Sequence, residues 1–261
     1  MPMTPATEIT GLFRYPVKGL TPEPLQHVDL RVGETLPADR GYAIENGPSG
    51  FDPTAPAWLH KSHYLMLMRN ERLAALRAHF ADDTHTLTIR RDGVVVARGN
   101  LETTEGRAGI ERFFAQTFAS ELKGPPKVLC GGGHSFSDVA KKVISIINLG
   151  SLRAIENMVG LPVHPLRFRA NLYVRGWPAW RELDLVGQTL AIGDARLKVV
   201  KRITRCAAVN VDPDTAERDL DIPSAIMRRL DHNECGIYAE VIAAGRISVG
   251  DSLALEAPEF L

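Results

Sequence analysis

Cysteine is scarce in this chain of 261 residues: there are three, Cys130, Cys206 and Cys235, an odd number with no Cys-x-x-Cys spacing. Such a set does not build a disulfide framework and reads as reduced thiols, which makes the cytoplasm the expected compartment. Excess charge is missing too. The 31 Lys plus Arg balance 31 Asp plus Glu, which argues against a general nucleic-acid or anionic-membrane binder, so any basic site has to be local. The longest apolar run, Val143 to Leu149, is interrupted by Ser145 and Asn148 and falls far short of the roughly 20 residues that span a bilayer. Residues Met1 to Glu8 carry neither a basic nor an apolar leader region, so no signal peptide is expected. Also lacking are GxGxxG, a P-loop, GxSxG and HExxH, which removes the motif for dinucleotide, nucleoside triphosphate, hydrolase-elbow and zincin readings. Gly131-Gly132-Gly133 has no GK[ST] after it and reads as a loop, and His60 with His63 reads as a surface pair.

What is present is an ordinary globular composition, 44% hydrophobic and 24% charged, long enough for one large or two small domains. Short strands punctuated by turns fill the first half: Ile9 to Tyr15, His27 to Val32, Arg40 to Glu45, Tyr64 to Met68, and Thr86 to Arg91 with Val94 to Arg98. Asp92-Gly93 between the last two is a hairpin signal, because both residues accept the positive φ of a tight primed turn. Helices are expected at Arg69 to Phe80, from Leu73, Leu76 and Phe80, and at Gly106 to Leu122, from Ile110, Phe113, Phe114 and Phe118. Lys123-Gly124-Pro125-Pro126 stops that helix and is the expected boundary between a domain of residues 1–123 and one of residues 124–261. The second domain is expected to hold strands at Lys142 to Ile147, Leu166 to Arg175, Thr189 to Ile192, Arg196 to Ile203, Gly236 to Ala243 and Ser252 to Glu256, with helices at Ser151 to Val159 and Pro223 to Leu230. The fold class is therefore α+β and mainly β: two β-barrel-like domains with a few covering helices.

Two clusters could carry chemistry. In Lys201-Arg202-Ile203-Thr204-Arg205-Cys206, cations flank a thiol and would stabilise its thiolate, the form that attacks electrophiles or binds soft metals. A buried, inert Cys206 is an equally open reading at this point. In Arg167-Phe168-Arg169-Ala170-Asn171, strand alternation would place Arg167, Arg169 and Asn171 on one side, a wall suited to a phosphate and a planar heterocycle. A solvated strand face in salt bridges explains that cluster as well, although Lys18 and Arg40 add further basic positions.

The chain resembles the MOSC family, named for the C-terminal domain of molybdenum cofactor sulfurases, preceded by its usual N-terminal β-barrel partner. The resemblance rests on Tyr15-Pro16-Val17-Lys18, Asp39-Arg40, Phe136-Ser137-Asp138, Ile147-Asn148 with Ser151-Leu152, Phe168-Arg169-Ala170-Asn171, Thr204-Arg205-Cys206, Val211-Asp212-Pro213-Asp214-Thr215, Gly236-Ile237-Tyr238 and Val249-Gly250-Asp251. It implies a molybdenum cofactor of the molybdopterin type, with Cys206 as the protein's metal ligand and catalytic residue. It also implies that Lys18 and Arg40 neutralise the cofactor phosphate, while Asn148, Ser151, Arg169, Asn171 and Arg205 hold pterin and phosphate from the other side. Such a site would lie in a groove between the two domains.

Among characterised members the chain is similar to the amidoxime-reducing molybdenum proteins. That likeness implies an oxidoreductase for N-hydroxylated or related N-oxygenated compounds, an N-reductive detoxification. It departs from them at Gly19, where they have Ser, and at Ala170, where they have Pro. The cysteines of the ferredoxin-like domain that some bacterial members append are not found, so a separate ferredoxin-, flavodoxin- or cytochrome-like donor is the expected partner. No nucleic acid or membrane is expected as a partner, and a monomer is the default. The alternative is a cofactor carrier or sulfur-delivery module without turnover, which shares every binding residue.

Overall fold

The computed structural model describes residues 7–256; the reading of residues 1–6 as leaderless lies outside the described residues. The first half runs β1 (Glu8–Arg14), β2 (Glu23–Pro24), β3 (His27–Leu30), β4 (Tyr42–Asn46), β5 (Arg77–Ala81), β6 (Thr86–Arg91), β7 (Val94–Asn100) and helix α1 (Thr104–Thr117). There follow β8 (Pro126–Cys130), β9 (Ile144–Asn148), helix α2 (Leu149–Val159), β10 (Leu172–Arg175), β11 (Thr189–Ile192) and β12 (Ala195–Thr204). Helix α3 (Ile222–Leu230), β13 (Glu234–Ala243), β14 (Gly245–Ser248) and β15 (Ala254–Leu255) complete the order. The protein is α+β and mainly β, as its turn-punctuated sequence implies.

An eight-stranded sheet in the order β15-β11-β12-β13-β9-β10-β1-β2 dominates. The β9 and β10 pair is parallel and the others are antiparallel. One apolar cluster takes Ile9 and Leu12 of β1, Ile144 and Ile146 of β9, Leu190 of β11, Leu197 of β12, Ile237 of β13 and also Val28 of β3 and Ile247 of β14. Strands from both ends of the sheet meet in that core, so the sheet curls into a half-barrel. Its outer face is covered by α2 and α3, whose Leu152, Ile155, Ile222 and Ile226 pack on Ile147, Tyr173 and Cys235. The remaining strands form the pairs β3–β14 and β4–β8 and the meander β5-β6-β7, with α1 packed through Ile110 and Phe114 onto Leu87 and Ile89. Helix α1 can lie this close because Gly106 has no side chain: a Cβ there would sit 2.0 Å from the Asn100 carbonyl oxygen. The boundary expected at 123/124 falls between α1 and β8; across it, β8 pairs with β4, and β1 joins β10.

Local signals explain most element ends. Asn148 caps α2 by accepting from the Gly150 N–H, and Gly160 ends it at φ 74°. Asp92 and Gly93 both take positive φ, 53° and 79°, in the β6–β7 hairpin.

Three expectations are corrected. The helix expected at Arg69 to Phe80 is a short 3-10 turn, Glu71–Ala75, followed by β5. Leu76 and Phe80, four residues apart, fit one face of a strand as well as one face of a helix, and pairing of β5 with β6 decides for the strand. Tyr64 to Met68 makes a single bridge, Tyr64 to Glu45, and no strand. The strand expected over Leu166 to Arg175 starts only at Leu172. Pro165–Phe168 is a 3-10 turn capped by His164, and Arg169 is left-handed at φ 52°.

Candidate functional site

A cavity of about 260 Å³ opens where the Tyr15–Leu20 turn after β1, the Ser135–Val139 segment, the turn before β10 and the end of β12 converge. Eight cationic residues line it, Lys18, Arg40, Lys61, Arg167, Arg169, Lys201, Arg202 and Arg205, against one acidic residue, Asp138. In a chain of zero net charge, this concentrates positive potential in one concave place and favours an anionic ligand.

The lining is built strand by strand. Irregular register in β12 between Val199 and Lys201, and again between Arg202 and Thr204, breaks the two-residue alternation, which is how residues 201–206 all come to border the cavity. Cys206 follows β12 at the head of a 3-10 turn, Ala207–Asn210, and is half-buried. Arg205 is anchored by its backbone, whose N–H donates to the Asn233 carbonyl at 2.8 Å. Its side chain donates through Nε to the Cys235 carbonyl (2.7 Å) and through Nη1 to the Phe168 carbonyl (3.1 Å). Arg205 Nη2 and Arg167 Nε are buried without a partner among the described residues. Unmet donors of this kind are costly unless a ligand or water takes them.

Lys18 is buried, with Nζ donating to the Phe136 carbonyl (2.8 Å) and to Asp138 Oδ1 (2.5 Å). Burial lowers its pKa, partly opposed by Asp138. Arg40 pairs with Asp39 and donates through Nη2 to the Arg169 carbonyl at 2.8 Å. Both Arg40 and Arg169 stack on the ring of the buried Tyr15, at 4.6 and 4.4 Å from its centroid. The Arg169 guanidinium makes no hydrogen bond or ion pair among the described residues, and burial, together with the nearby Arg40, lowers its pKa. Its donors are therefore open to a ligand.

Lys61, which the sequence reading does not single out, completes the site together with Asp138. Lys61 Nζ lies 3.4 Å from Cys206 Sγ and 3.5 Å from Asp138 Oδ2. Burial works against its charge, but Asp138 and Cys206 together raise its pKa. Burial pushes the Asp138 carboxyl up, yet Lys18 and Lys61 with Arg40 overcome this and hold it well below the usual carboxylate range. Lys61 precedes the cysteine by 145 positions, so no local pattern could have linked them.

Several expected site residues lie elsewhere or are otherwise engaged. Arg167, Arg169 and Asn171 do not share a strand face, because the left-handed turn at Arg169 reverses the chain between them. Arg167 is a strut: it grips Asp219 through two 2.7 Å bonds and Asp212 at 2.6 Å. Asn171 lines the cavity, but its amide is taken by Ser145 and the Phe13 carbonyl. Asn148 and Ser151 do not border the cavity. They donate to Glu182, at 2.9 and 2.7 Å, beneath the first turn of α2. Glu182 is 0% exposed, and burial raises its pKa. Cys235 is also outside the cavity, buried, with its thiol pushed up to about 12 by burial. His232 and Asp231 serve local turns, with His232 Nδ1 accepting from the Glu234 N–H. Cys130 sits in β8 opposite Tyr42.

Gly236 is required where β13 passes β9. Its φ is 80°, and a Cβ would come within 2.6 Å of the Ile146 carbonyl oxygen and 3.0 Å of Arg205 Nη2. A side chain there would displace the arginine that reaches the cavity.

Molybdenum cofactor sulfurases from Caenorhabditis elegans and Caenorhabditis briggsae are each 32% identical over 89 residues, 33% of this chain. The match spans 12% of the length of either relative. Among solved structures, the YuaD protein from Bacillus subtilis aligns over 95% of this chain and 94% of its own, at 15% identity and a TM-score of 0.44. YiiM from Geobacillus stearothermophilus aligns over 44% and 54%, at 23% identity and a TM-score of 0.36. Among the described residues no helix is long and apolar enough to cross a membrane. Residues 131–254 match the family described as MOSC domain.

Proposed function

We propose that the cavity binds a molybdenum cofactor of the molybdopterin type and that the protein is an oxidoreductase for N-hydroxylated or related N-oxygenated compounds, supplied with electrons by a separate donor protein. One observation carries the binding: a cavity bordered by eight cations and one carboxylate, with a buried Arg205 nitrogen that lacks a partner among the described residues and a half-buried thiol on its wall. These residues fit a phosphate-bearing pterin whose metal takes a thiolate. Arg169 and Arg205 offer unpaired donors to the phosphate or pterin, and Lys18 and Arg40 add charge from residues 1–123. Cys206 would ligate the metal, since soft metals favour thiolate. When bound, the group would supply the redox and oxygen-atom chemistry. Lys61 holds an ammonium 3.4 Å from the ligating sulfur, where a hydrogen bond to sulfur tunes ligand strength. Asp138, kept ionised by Lys18 and Lys61, fixes that ammonium in place. Asn148 and Ser151 support the site only indirectly, through α2 and Glu182.

A carrier or sulfur-delivery role is favoured by the likeness to molybdenum cofactor sulfurases. The two are separated by producing wild type and Cys206→Ala in a host competent in molybdopterin synthesis. The reductase reading expects near-stoichiometric molybdenum in wild type, lost or labile in Cys206→Ala, together with benzamidoxime reduction from an artificial donor. Metal with no reduction, but transfer of cofactor to an apo-enzyme, supports the carrier. No metal in either protein, from a host that loads other molybdoenzymes, refutes both.

A further inference from the structure

A second hollow, about 430 Å³, adjoins the cationic cavity and shares Asp138, Val139, Val143, Lys201 and Tyr238 with its wall. Its size is that of a small-molecule site, and its character is different. Val139, Ala140, Val143 and Val200 give it an aliphatic floor, and Trp58 closes one side. Trp58 is 38% exposed, yet its indole is fixed, because Nε1 donates to the Ser137 carbonyl at 3.2 Å. An exposed indole plate anchored this way presents a ready stacking surface. The β12 irregularity between Val199 and Lys201 brings the neighbours Val200 and Lys201 to the same hollow. On an unbroken strand they would face opposite ways. Of the two lysines at the hollow, Lys141 is committed to Glu240 at 2.6 Å, whereas Lys201 is exposed and has no polar partner among the described residues.

The geometry points to this hollow as a binding site for an aromatic anion: the ring lies on Trp58 against the valine floor, and its carboxylate pairs with Lys201. Apolar walls, one anchored aromatic plate and one uncommitted cation suit such a ligand, and the one carboxylate of the hollow, Asp138, is already paired with Lys18 and Lys61. The assignment deepens the function proposed above and rests on it for the statement that the ligand is substrate, because the hollow borders the chamber holding Cys206. The binding itself needs no metal.

The test is titration calorimetry of the full chain with 2-naphthoate and its neutral analogue 2-naphthamide. Wild type is expected to prefer naphthoate by about threefold to fivefold, the worth of one exposed charge pair. Lys201→Gln is expected to remove that preference while keeping naphthamide binding. Trp58→Leu is expected to weaken both ligands by about tenfold, the worth of an aromatic contact. Both positions are surface-accessible, and thermal unfolding of each variant verifies the fold. Naphthoate affinity unchanged in Trp58→Leu would overturn the proposal. So would competitive displacement of naphthoate by inorganic phosphate at constant ionic strength, which would put the anion in the cationic cavity. Molybdenum is assayed on the same preparations. Metal-free protein that binds naphthoate refutes the cofactor reading alone, and metal-loaded protein that ignores naphthoate refutes this one alone.

Discussion

Replacing Arg167 by Met separates a strut from a ligand-binding cation. The guanidinium is 3% exposed and holds the chain segment that follows Cys206, with bonds to the Asn210 carbonyl (3.1 Å), Asp212 (2.6 Å) and both oxygens of Asp219 (2.7 Å each). Breaking a fully buried ion pair costs about 3–5 kcal/mol because the surviving charge stays dry. Here the survivors are carboxylates whose side chains are 18% and 43% exposed, so water recovers part of the loss. About 3 kcal/mol is therefore expected, equivalent to a fall in Tm of about 6–12 °C for a chain of this size. Arg167→Lys, which keeps the charge but cannot span two carboxylates, should lose about half as much. Urea and thermal unfolding followed by circular dichroism measure both. A shift of less than about 1 °C in Arg167→Met, with bound molybdenum lost at unchanged stability, would refute the strut and return Arg167 to the ligand.

Two further outcomes follow from the same geometry. Iodoacetamide mapping of native, cofactor-free protein should label Cys206 and spare Cys235, whose buried thiol is pushed up to about 12; equal labelling would contradict the burial of Cys235. The Asp138 carboxyl is held well below the usual range, so its contribution is present above the unfolded pKa of about 4 and is lost as pH falls toward the folded value. Because its side chain is 44% exposed, screening limits that contribution to about 1 kcal/mol. Asp138→Asn should lose less stability than wild type as pH drops below about 4, and parallel urea midpoints from pH 5 to pH 2 would refute the assignment.

How far the site was legible depended on whether its residues act locally. Cys206 and Arg205 lie in one run of sequence, and the structure places both on the cavity wall. The alternation argument at Arg167, Arg169 and Asn171 named residues that do border the cavity but for the wrong reason, since a capped 3-10 turn and a left-handed Arg169 replace the strand. Asn148 and Ser151 sit on a helix start, and which way that start faces depends on the sheet behind it and on Glu182. The helix expected at Arg69 to Phe80 failed similarly: Leu76 and Phe80, four residues apart, suit either period, and the pairing partner β6 settled the matter.

Composition, turn residues and apolar periodicity, all set by interactions within a few residues, determined from the sequence a mainly β protein with covering helices, the Asp92-Gly93 hairpin, and a thiol beside cations. Tertiary structure alone decided that Lys18, Lys61, Asp138 and Cys206 meet, that Arg169 is left free while Arg167 is tied down, and that β12 loses its alternation at Lys201. These depend on the curling of one sheet and on contacts across more than a hundred residues, where packing and charge, not local preference, choose the neighbours.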